Sequence, residues 1–382
     1  MEAIEGLVTG LEKRRAEELR RSKGEGRKVV GYVPNGYLPE ELVYAAGSLP
    51  LPVGLLRGGE HEAIAASALY LPRFLDTFCR AQIGYRALEE DFLYRIVDSV
   101  IVAVTDNNVR AIADSWAFYT GVDTFQYGVP HVKDDLGLEY YLRGLGDLQH
   151  KLQGLTGIEI DSDVLRDYIE LFNEMRDLLK RISLLRTSKA PPVSGKEFVR
   201  LNHASFYAEP HLFVQLLRTV VEQLEQAQAT ERRPRIMLVG STLAQGDYKL
   251  VDLVERTGAA IVIEDFSEGI RPYWDQVHVD GDLLRALAEG YFMRNPTPAF
   301  FRPAEDRNDS LIEMGQTFRV DGVIWYQLMY RDAYDVESYY FEKLARDKLG
   351  IPMLKVQSDY DRAELAPLTT RIETFVETIA RG

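Results

Sequence analysis

Short apolar runs of strand length occur in two separate regions of this 382-residue chain. In the first region, a strand over Lys28 to Tyr32 precedes a helix that Pro39-Glu40-Glu41 opens and Gly47 ends. A second strand is expected at Val53-Gly54-Leu55, after Leu49-Pro50-Leu51-Pro52. Because parallel strands need a crossover connection, usually a helix, this order predicts a βαβ unit and an α/β fold.

The same alternation of strands and helices returns after a long interval. Residues 138 to 230 show helical spacing and no comparable strand pattern. We therefore predict two Rossmann-like open parallel-sheet domains, 1–137 and 231–382, joined by a helical connector, 138–230, with a cleft between the sheets. The further strands predicted are Ser99–Val104, Tyr127–Val132, Arg235–Gly240, Ala259–Ile263, Gly322–Tyr326 and Pro352–Val356.

Composition and charge exclude several classes of partner. The net charge of −14 opposes binding to phosphate backbones, so no nucleic-acid partner is expected. No window approaches the roughly 18 to 20 consecutive apolar residues of a membrane span, and the acidic start Met1-Glu2 is unlike a secretory signal. We expect a cytoplasmic protein with no membrane partner. The 6 histidines show no metal-binding spacing, and each is interpreted as structural or solvated.

Four segments, in their order and spacing, carry a resemblance to a known family. The segments are Gly31–Pro34 with Leu38–Gly47, Cys79-Arg80 with Gly84-Tyr85, Gly240-Ser241 with Glu264-Asp265 and Gly269–Trp274, and Asp321–Ile324 with Arg331–Tyr334, Gly350–Pro352 and Asp359-Tyr360. They resemble the benzoyl-CoA reductase/2-hydroxyacyl-CoA dehydratase family, specifically its smaller subunit, and the resemblance spans most of residues 28 to 380.

The resemblance implies three cysteine ligands of a 4Fe-4S cluster, of which this chain keeps one. The former cluster positions fall on Cys79, Asp106 and Arg331. A guanidinium offers no lone pair to iron, and such clusters are held by several thiolates. We therefore expect no metal in this chain; Cys79 is interpreted as a small buried side chain, and Cys79 with Asp106 as the alternative ligands. We also expect an ion pair between Arg331 and Asp106 near Cys79.

The resembled family acts on CoA thioesters, after an ATP-driven activator injects one electron that leads to a ketyl radical. The resemblance implies a subunit of an anaerobic CoA-thioester reductase or dehydratase complex. Its partners would be a homologous larger subunit that bears the 4Fe-4S cluster, and the ATP-dependent activator, itself an iron–sulfur protein. No cofactor is expected in this chain. Two alternatives stay open: a cluster-bearing catalytic subunit that uses Cys79, and a non-catalytic structural or binding paralogue.

Polar residues after two strands of the second region are further candidates for chemistry. Glu264 and Asp265 are interpreted as groups that exchange a proton with substrate, and Arg271 as the holder of a phosphate or carboxylate. The alternative for these residues is an N-capping acid followed by a surface ion pair. Ser241 and Thr242 are candidates for a backbone anion site that binds CoA phosphates.

Aromatic residues are frequent near the same strand ends. They either sandwich an aryl-CoA or fill an interface with a partner subunit, and the interface is favoured because tyrosine and tryptophan are enriched there. We expect the edge from Tyr326 to Tyr340 to be buried against another subunit. The aromatic residues concerned are Tyr273, Trp274, Tyr326, Tyr330 and Tyr334.

Overall fold

The computed structural model describes residues 2–53, 60–89, 92–227 and 232–381. Within these residues the chain forms two four-stranded sheets, and every pair of neighbouring strands is parallel. The predicted α/β class with two Rossmann-like parallel sheets is therefore confirmed. None of the helices in these ranges is long and apolar enough to cross a membrane.

The first sheet has the spatial order second, first, third and fourth strand. The chain therefore changes direction of winding between its first and third strands, which is the switch point where open α/β sheets bind ligands. The elements in chain order are α1 (Glu2–Gly24), β1 (Val29–Tyr32), α2 (Glu40–Ala45), β2 (Leu49–Pro52), α3 (Glu60–Ser67), α4 (Thr77–Leu88), α5 (Phe92–Arg95), β3 (Ser99–Val104), α6 (Asn107–Thr120) and β4 (Asp123–Gly128).

Four helices connect the two sheets, as the lack of a strand pattern predicted. They are α7 (Asp135–Thr156), α8 (Ser162–Leu185), α9 (Gly195–Ala204) and α10 (Pro210–Gln226). The domain boundaries at 137/138 and 230/231 stay a prediction. Helix α7 begins before the first of them, and the second falls at residues outside the described ranges.

The second sheet repeats the topology of the first. Its spatial order places the switch point between β5 and β7, whose bounds follow. The elements are β5 (Arg235–Gly240), α11 (Lys249–Arg256), β6 (Ala260–Asp265), α12 (Leu283–Ala288), a π-helical turn (Glu289–Arg294), α13 (Ala304–Thr317), β7 (Gly322–Leu328), α14 (Asp332–Leu349), β8 (Met353–Ser358), a 3-10 turn (Arg362–Glu364) and α15 (Leu365–Arg381).

Two strands of the first sheet differ from their predicted positions. Strand β2 lies at Leu49–Pro52, before the predicted 53–55, of which residues 54 and 55 lie outside the described ranges. Strand β4 lies at Asp123–Gly128, earlier than the predicted Tyr127–Val132. Both are edge strands, where proline and polar residues are tolerated, so neither carries the apolar run that marks a central strand.

The hydrophobic core joins both sheets through the connector. One continuous cluster contains Val29 of the first sheet, Phe213 of α10 and Ile236 of the second sheet, all fully buried. Helix α1 also packs on this core, since Leu11 and Leu19 belong to the same cluster. The two sheets are therefore held in one packed body, which fixes the loops at their facing edges.

Candidate functional site

A cleft of about 370 Å³ lies where the carboxyl ends of strands from both sheets meet, as the sequence predicted. Asn35 and Tyr37 follow β1, Thr105–Asn108 follow β3, and Tyr330–Tyr334 follow β7. These three strands flank the switch points of their sheets, so the cleft occupies the position where this class of fold binds ligands. Phe74 and Phe300 line the cleft and are themselves exposed, so the cleft opens to solvent.

Arg331 joins the two halves of the cleft through two ion pairs. Its Nη1 donates to Asp76 Oδ2 at 2.8 Å and to Asp106 Oδ1 at 3.0 Å. The predicted pair of Arg331 with Asp106 is confirmed, and Asp76 is a partner that the sequence reasoning missed. Arg331 and Asp76 are both buried, so this contact is screened little by water.

Both aspartates are also the N-caps of helices. Asp76 accepts a hydrogen bond from the backbone N–H of Cys79, which fixes the first turn of α4. Asp106 accepts from the N–H groups of Asn108 and Val109 at the start of α6. An aspartate directly before a helical pattern is an N-cap signal, and this signal could have identified Asp76. Capping fixes both carboxylates toward Arg331.

Cys79 lies beside this ion-pair group and is fully buried. Burial raises the pKa of the Cys79 thiol well above its usual range, and the carboxylate of Asp76 raises it further. Because iron needs thiolates, a thiol held neutral next to a paired guanidinium is a poor ligand. No group of three or more possible metal-binding side chains occurs in the described residues. The residues at the former cluster positions therefore do not fit a 4Fe-4S cluster.

Glu264 and Asp265, predicted as proton-exchanging groups, form buried ion pairs within the chain. Glu264 accepts hydrogen bonds from Nη1 and Nη2 of Arg186, and Asp265 accepts one from Arg307 Nη1 at 2.6 Å. All four side chains are almost completely buried, so the alternative of a surface ion pair is wrong. The helical connector accounts for the burial of Glu264, since Arg186 directly follows α8 and covers the edge strand β6. Neither carboxylate lines the cleft, and their catalytic role stays a prediction.

Arg271, predicted to hold an anion, does line the cleft. Its guanidinium donates to Ser267 Oγ at 2.7 Å and to Tyr334 Oη at 3.1 Å. The exposed fraction of Arg271 is only 6%. Gly36, at φ +84°, lets the loop after β1 approach the arginine, since an added Cβ would lie 3.3 Å from Arg271 Cβ. Arg271 is thus fixed on the wall of the cavity.

Ser241 and Thr242 are buried behind this wall and line neither the cleft nor the smaller cavity described below. The carbonyl oxygen of Ser241 accepts from the N–H and the Oγ of Ser267. A Cβ at Gly240 would lie 2.4 Å from both Phe266 Cε1 and Tyr326 O, so close packing already accounts for this glycine. Their anion-binding role stays a prediction.

The aromatic residues near the strand ends divide into buried and exposed groups. Tyr273, Tyr326 and Tyr334 are buried inside the chain, so the expected aromatic surface is wrong for these three. Tyr326 lies on the central strand β7, and Tyr273 lies after β6, where its hydroxyl contacts Ser183 Oγ of α8 at 3.1 Å. Tyr334 lies in the first turn of α14 and lines the cleft. Trp274 is half-buried. The exposed apolar residues of the expected edge are Tyr330, Val336, Tyr339 and Tyr340.

A smaller cavity of about 60 Å³ also borders Arg271, and its lining includes Glu40. Glu40, Glu41 and Glu268 are buried carboxyl groups that the sequence did not identify as candidates. Burial raises the pKa of Glu40 to about 8, although the hydroxyl of Tyr32 donates to its carboxylate. Its neighbour Glu41 accepts from Arg176 at 2.7 Å. Burial likewise raises the pKa of Glu268, near Arg271, to about 8. No sequence signal marks these groups, since burial depends on the packing of distant elements.

Comparison with known proteins identifies the family of this chain. Residues 35–379 match the family described as 2-hydroxyglutaryl-CoA dehydratase, D-component. The chain is 26% identical to "Putative dehydratase subunit YjiM" of Escherichia coli (strain K12), over 90% of this chain and 89% of the relative. It is 25% identical to a subunit of benzoyl-CoA reductase from Thauera aromatica, over 92% of this chain and 91% of the relative.

A third relative is the beta subunit of (R)-2-hydroxyglutaryl-CoA dehydratase from Acidaminococcus fermentans, 22% identical over 99% of this chain and 100% of the relative. These relatives and the family match cover nearly the whole chain, and they confirm the resemblance drawn from its four segments. The chain therefore belongs to the 2-hydroxyglutaryl-CoA dehydratase D-component family.

Proposed function

We propose that this chain is a cytoplasmic subunit of a CoA-thioester dehydratase or reductase complex, and that a homologous larger subunit holds the 4Fe-4S cluster. In this proposal an ATP-dependent activator, itself an iron–sulfur protein, delivers the electron for the single-electron reduction to that larger subunit. The relatives are named as subunits of a dehydratase and of a reductase, which supports a multi-subunit assembly.

The contact of Arg331 with Asp76 and Asp106 carries the proposal. A cation stands where the resembled family has a thiolate, and two carboxylates within 3.0 Å neutralise it. This arrangement is complete without a metal, because opposite charges satisfy each other in a partly water-excluded place. The chain then contributes the wall of a cleft and a binding surface, and redox chemistry takes place in the partner.

The cleft mouth supports a covering partner. Phe74 is 70% exposed, Phe300 58% and Tyr330 41%, and all three line the same cavity. Large apolar side chains gathered at one opening are typical of a surface that another protein or a ligand covers.

Iron and acid-labile sulfide, measured on anaerobically purified protein, test the proposal. We expect the isolated chain to hold no stoichiometric iron, and the complex captured from its native cells to hold about four iron atoms per larger subunit. Activity toward CoA thioesters, with ATP and a reductant, is expected of the complex alone. A complex without iron or activity would favour the non-catalytic paralogue.

The variant Cys79→Ser in the same complex tests the remaining alternative, a catalytic subunit that holds a cluster through Cys79. We expect iron content and activity to be retained, with a loss of folding stability on the order of 1 kcal/mol for a small change in the core. A complex that loses its iron when it contains the Cys79→Ser variant would identify Cys79 as a ligand and would overturn the placement of the cluster in the partner.

A further inference from the structure

Arg271 differs from every other buried arginine in the described part of the chain. Five of the 7 buried arginines contact a carboxylate, namely Arg15, Arg176, Arg186, Arg307 and Arg331. Arg235 has no such partner, but its guanidinium donates to three backbone carbonyl oxygens. Arg271 donates to two hydroxyls, and among the described residues no carboxylate lies within salt-bridge distance of it.

The free hydrogen-bond donors and the positive charge of Arg271 favour binding of an anion. Arginine carries five N–H donors and does not lose its proton in proteins, and the described residues accept two of the five from Arg271. Its Nε is buried and has no acceptor. The carboxylates of Asp265 and Glu268 act on Arg271 electrostatically, but neither is one of its direct hydrogen-bond partners. An anion in the adjoining cavity would give the guanidinium a direct charged partner. The contacts to hydroxyls and the cavity that Arg271 lines are independent observations that indicate the same site.

The lining of the cleft selects the kind of anion. Pro298, Ala299 and Phe301 give it an apolar wall, and about 370 Å³ suits a small organic molecule. Two carboxylates also line it: Asp106 is paired with Arg331, and Asp332 is exposed. These acids disfavour a dianion such as inorganic phosphate more than a single carboxylate.

We propose that the cleft binds a small organic monocarboxylate, with Arg271 as its anchor and the apolar wall around its body. This site needs neither the cluster nor the partner subunit. A failure of the site would therefore leave the iron measurements above untouched, and the reverse is equally true.

Calorimetric titration of the purified full chain with benzoate tests the site, with benzamide as the neutral molecule of the same shape. We expect benzoate to bind, and benzamide to bind at least about tenfold more weakly, since hydrogen bonds to a charged acceptor are stronger than those to a neutral one. Inorganic phosphate is expected to bind more weakly than benzoate. Equal binding of benzoate and benzamide, or a preference for phosphate, would overturn the proposal.

Arg271→Met removes the anchor, and Arg110→Met is the control because Arg110 is exposed on α6. We expect Arg271→Met to abolish the preference for benzoate over benzamide and Arg110→Met to preserve it. Without ligand, the melting temperature of Arg271→Met should stay close to that of the wild type, because Arg271 donates to two hydroxyls and no direct ion pair in the described residues is lost. Unchanged selectivity in Arg271→Met refutes the anchor. If that variant does not fold, the comparison on the wild-type chain decides.

Discussion

At the scale of single residues, the centre of the molecule is a three-way contact of Arg331 with Asp76 and Asp106. Asp76 is 1% exposed at its side chain, and burial raises its pKa, although Arg331 acts in the opposite direction. Asp106 is 36% exposed, so its pair with Arg331 is more screened and contributes less. The contact to Asp76 is therefore the one on which stability depends.

Arg331→Met is expected to lower the free energy of unfolding by about 3 kcal/mol, because it leaves a buried carboxylate without its partner. Adding Asp76→Asn to this variant should recover part of the loss, since asparagine still caps α4 and carries no charge. Urea unfolding followed by circular dichroism measures both changes. Arg346→Met is the matched control, as Arg346 is 69% exposed and its removal should change stability by less than about 0.5 kcal/mol. Equal midpoints for Arg331→Met and the control would contradict the assigned role.

The sequence predicted part of this contact and missed the rest for a physical reason. Asp106 and Arg331 follow strands, and the ends of parallel strands meet at the cleft, so their pairing could be foreseen. Asp76 precedes a helix and lies 255 residues from Arg331 along the chain, and nothing local relates the two. Glu40 and Glu268 were missed because the burial that raises their pKa arises from distant packing.

At the scale of elements, the central strands and both edge strands of the second sheet were predicted to within about two residues, and the edge strands of the first sheet poorly. Strands β3 and β5 lie at their predicted positions, since both are buried on each face and read as apolar runs. Strand β2 contains Pro50 and Pro52, and β4 is largely polar and partly exposed. Edge positions permit such residues, so the pattern that defines a strand is lost where the sheet ends.

Helix α2 is unusual because each of its six residues is buried, including Glu40 and Glu41 in its first turn. Burial raises the pKa of Glu40 to about 8, from an ordinary value of 4.5. Between about pH 4.5 and pH 8 the folded chain therefore binds more protons at this site than the unfolded chain. The contribution of Glu40 to stability is present below pH 4.5 and is lost as the pH rises through 8.

Glu40→Gln is expected to stabilise the chain relative to wild type by an amount that grows from pH 5 to pH 8.5. Glutamine does not ionise, and its amide oxygen can still accept from the hydroxyl of Tyr32. Urea midpoints of both proteins across this range provide the measurement. Glu17→Gln, at an exposed position of α1, should give a difference from wild type that does not vary with pH. A difference that is equally constant for Glu40→Gln would refute the raised pKa.

At the scale of the whole molecule, the two sheets form one packed unit, and the cleft lies where their strand ends meet. The continuous core fixes their distance, and Arg331 connects the loop after β7 to helices α4 and α6. A change at the cleft therefore acts on both halves of the chain. Several exposed apolar residues lie at the mouth of this cleft and on helix α14, which starts directly after Arg331.

Within the expected subunit interface, Tyr326 and Tyr334 are buried inside the chain, so the exposed surface of α14 is the part that can contact a partner. Val336 and Tyr340 are one helical turn apart on the same face, and they are 63% and 60% exposed. The double variant Val336→Lys/Tyr340→Lys should weaken assembly with the partner subunit by about 2 kcal/mol or more, close to 30-fold in Kd, since buried aromatic residues dominate binding. Its melting temperature should stay near that of the wild type, because both side chains face solvent.

Phe118→Lys is the control for this surface, as Phe118 is 81% exposed on α6 and lies on another element. Light scattering of the reconstituted complex, across a dilution series, gives the dissociation constants of all three proteins. A stable complex of this kind buries about 2,000 Å² or more in total, so one changed face within it should be detectable. If the double variant assembles as tightly as the wild type while Phe118→Lys does not, the interface lies on α6, and α14 must be exposed in the complex.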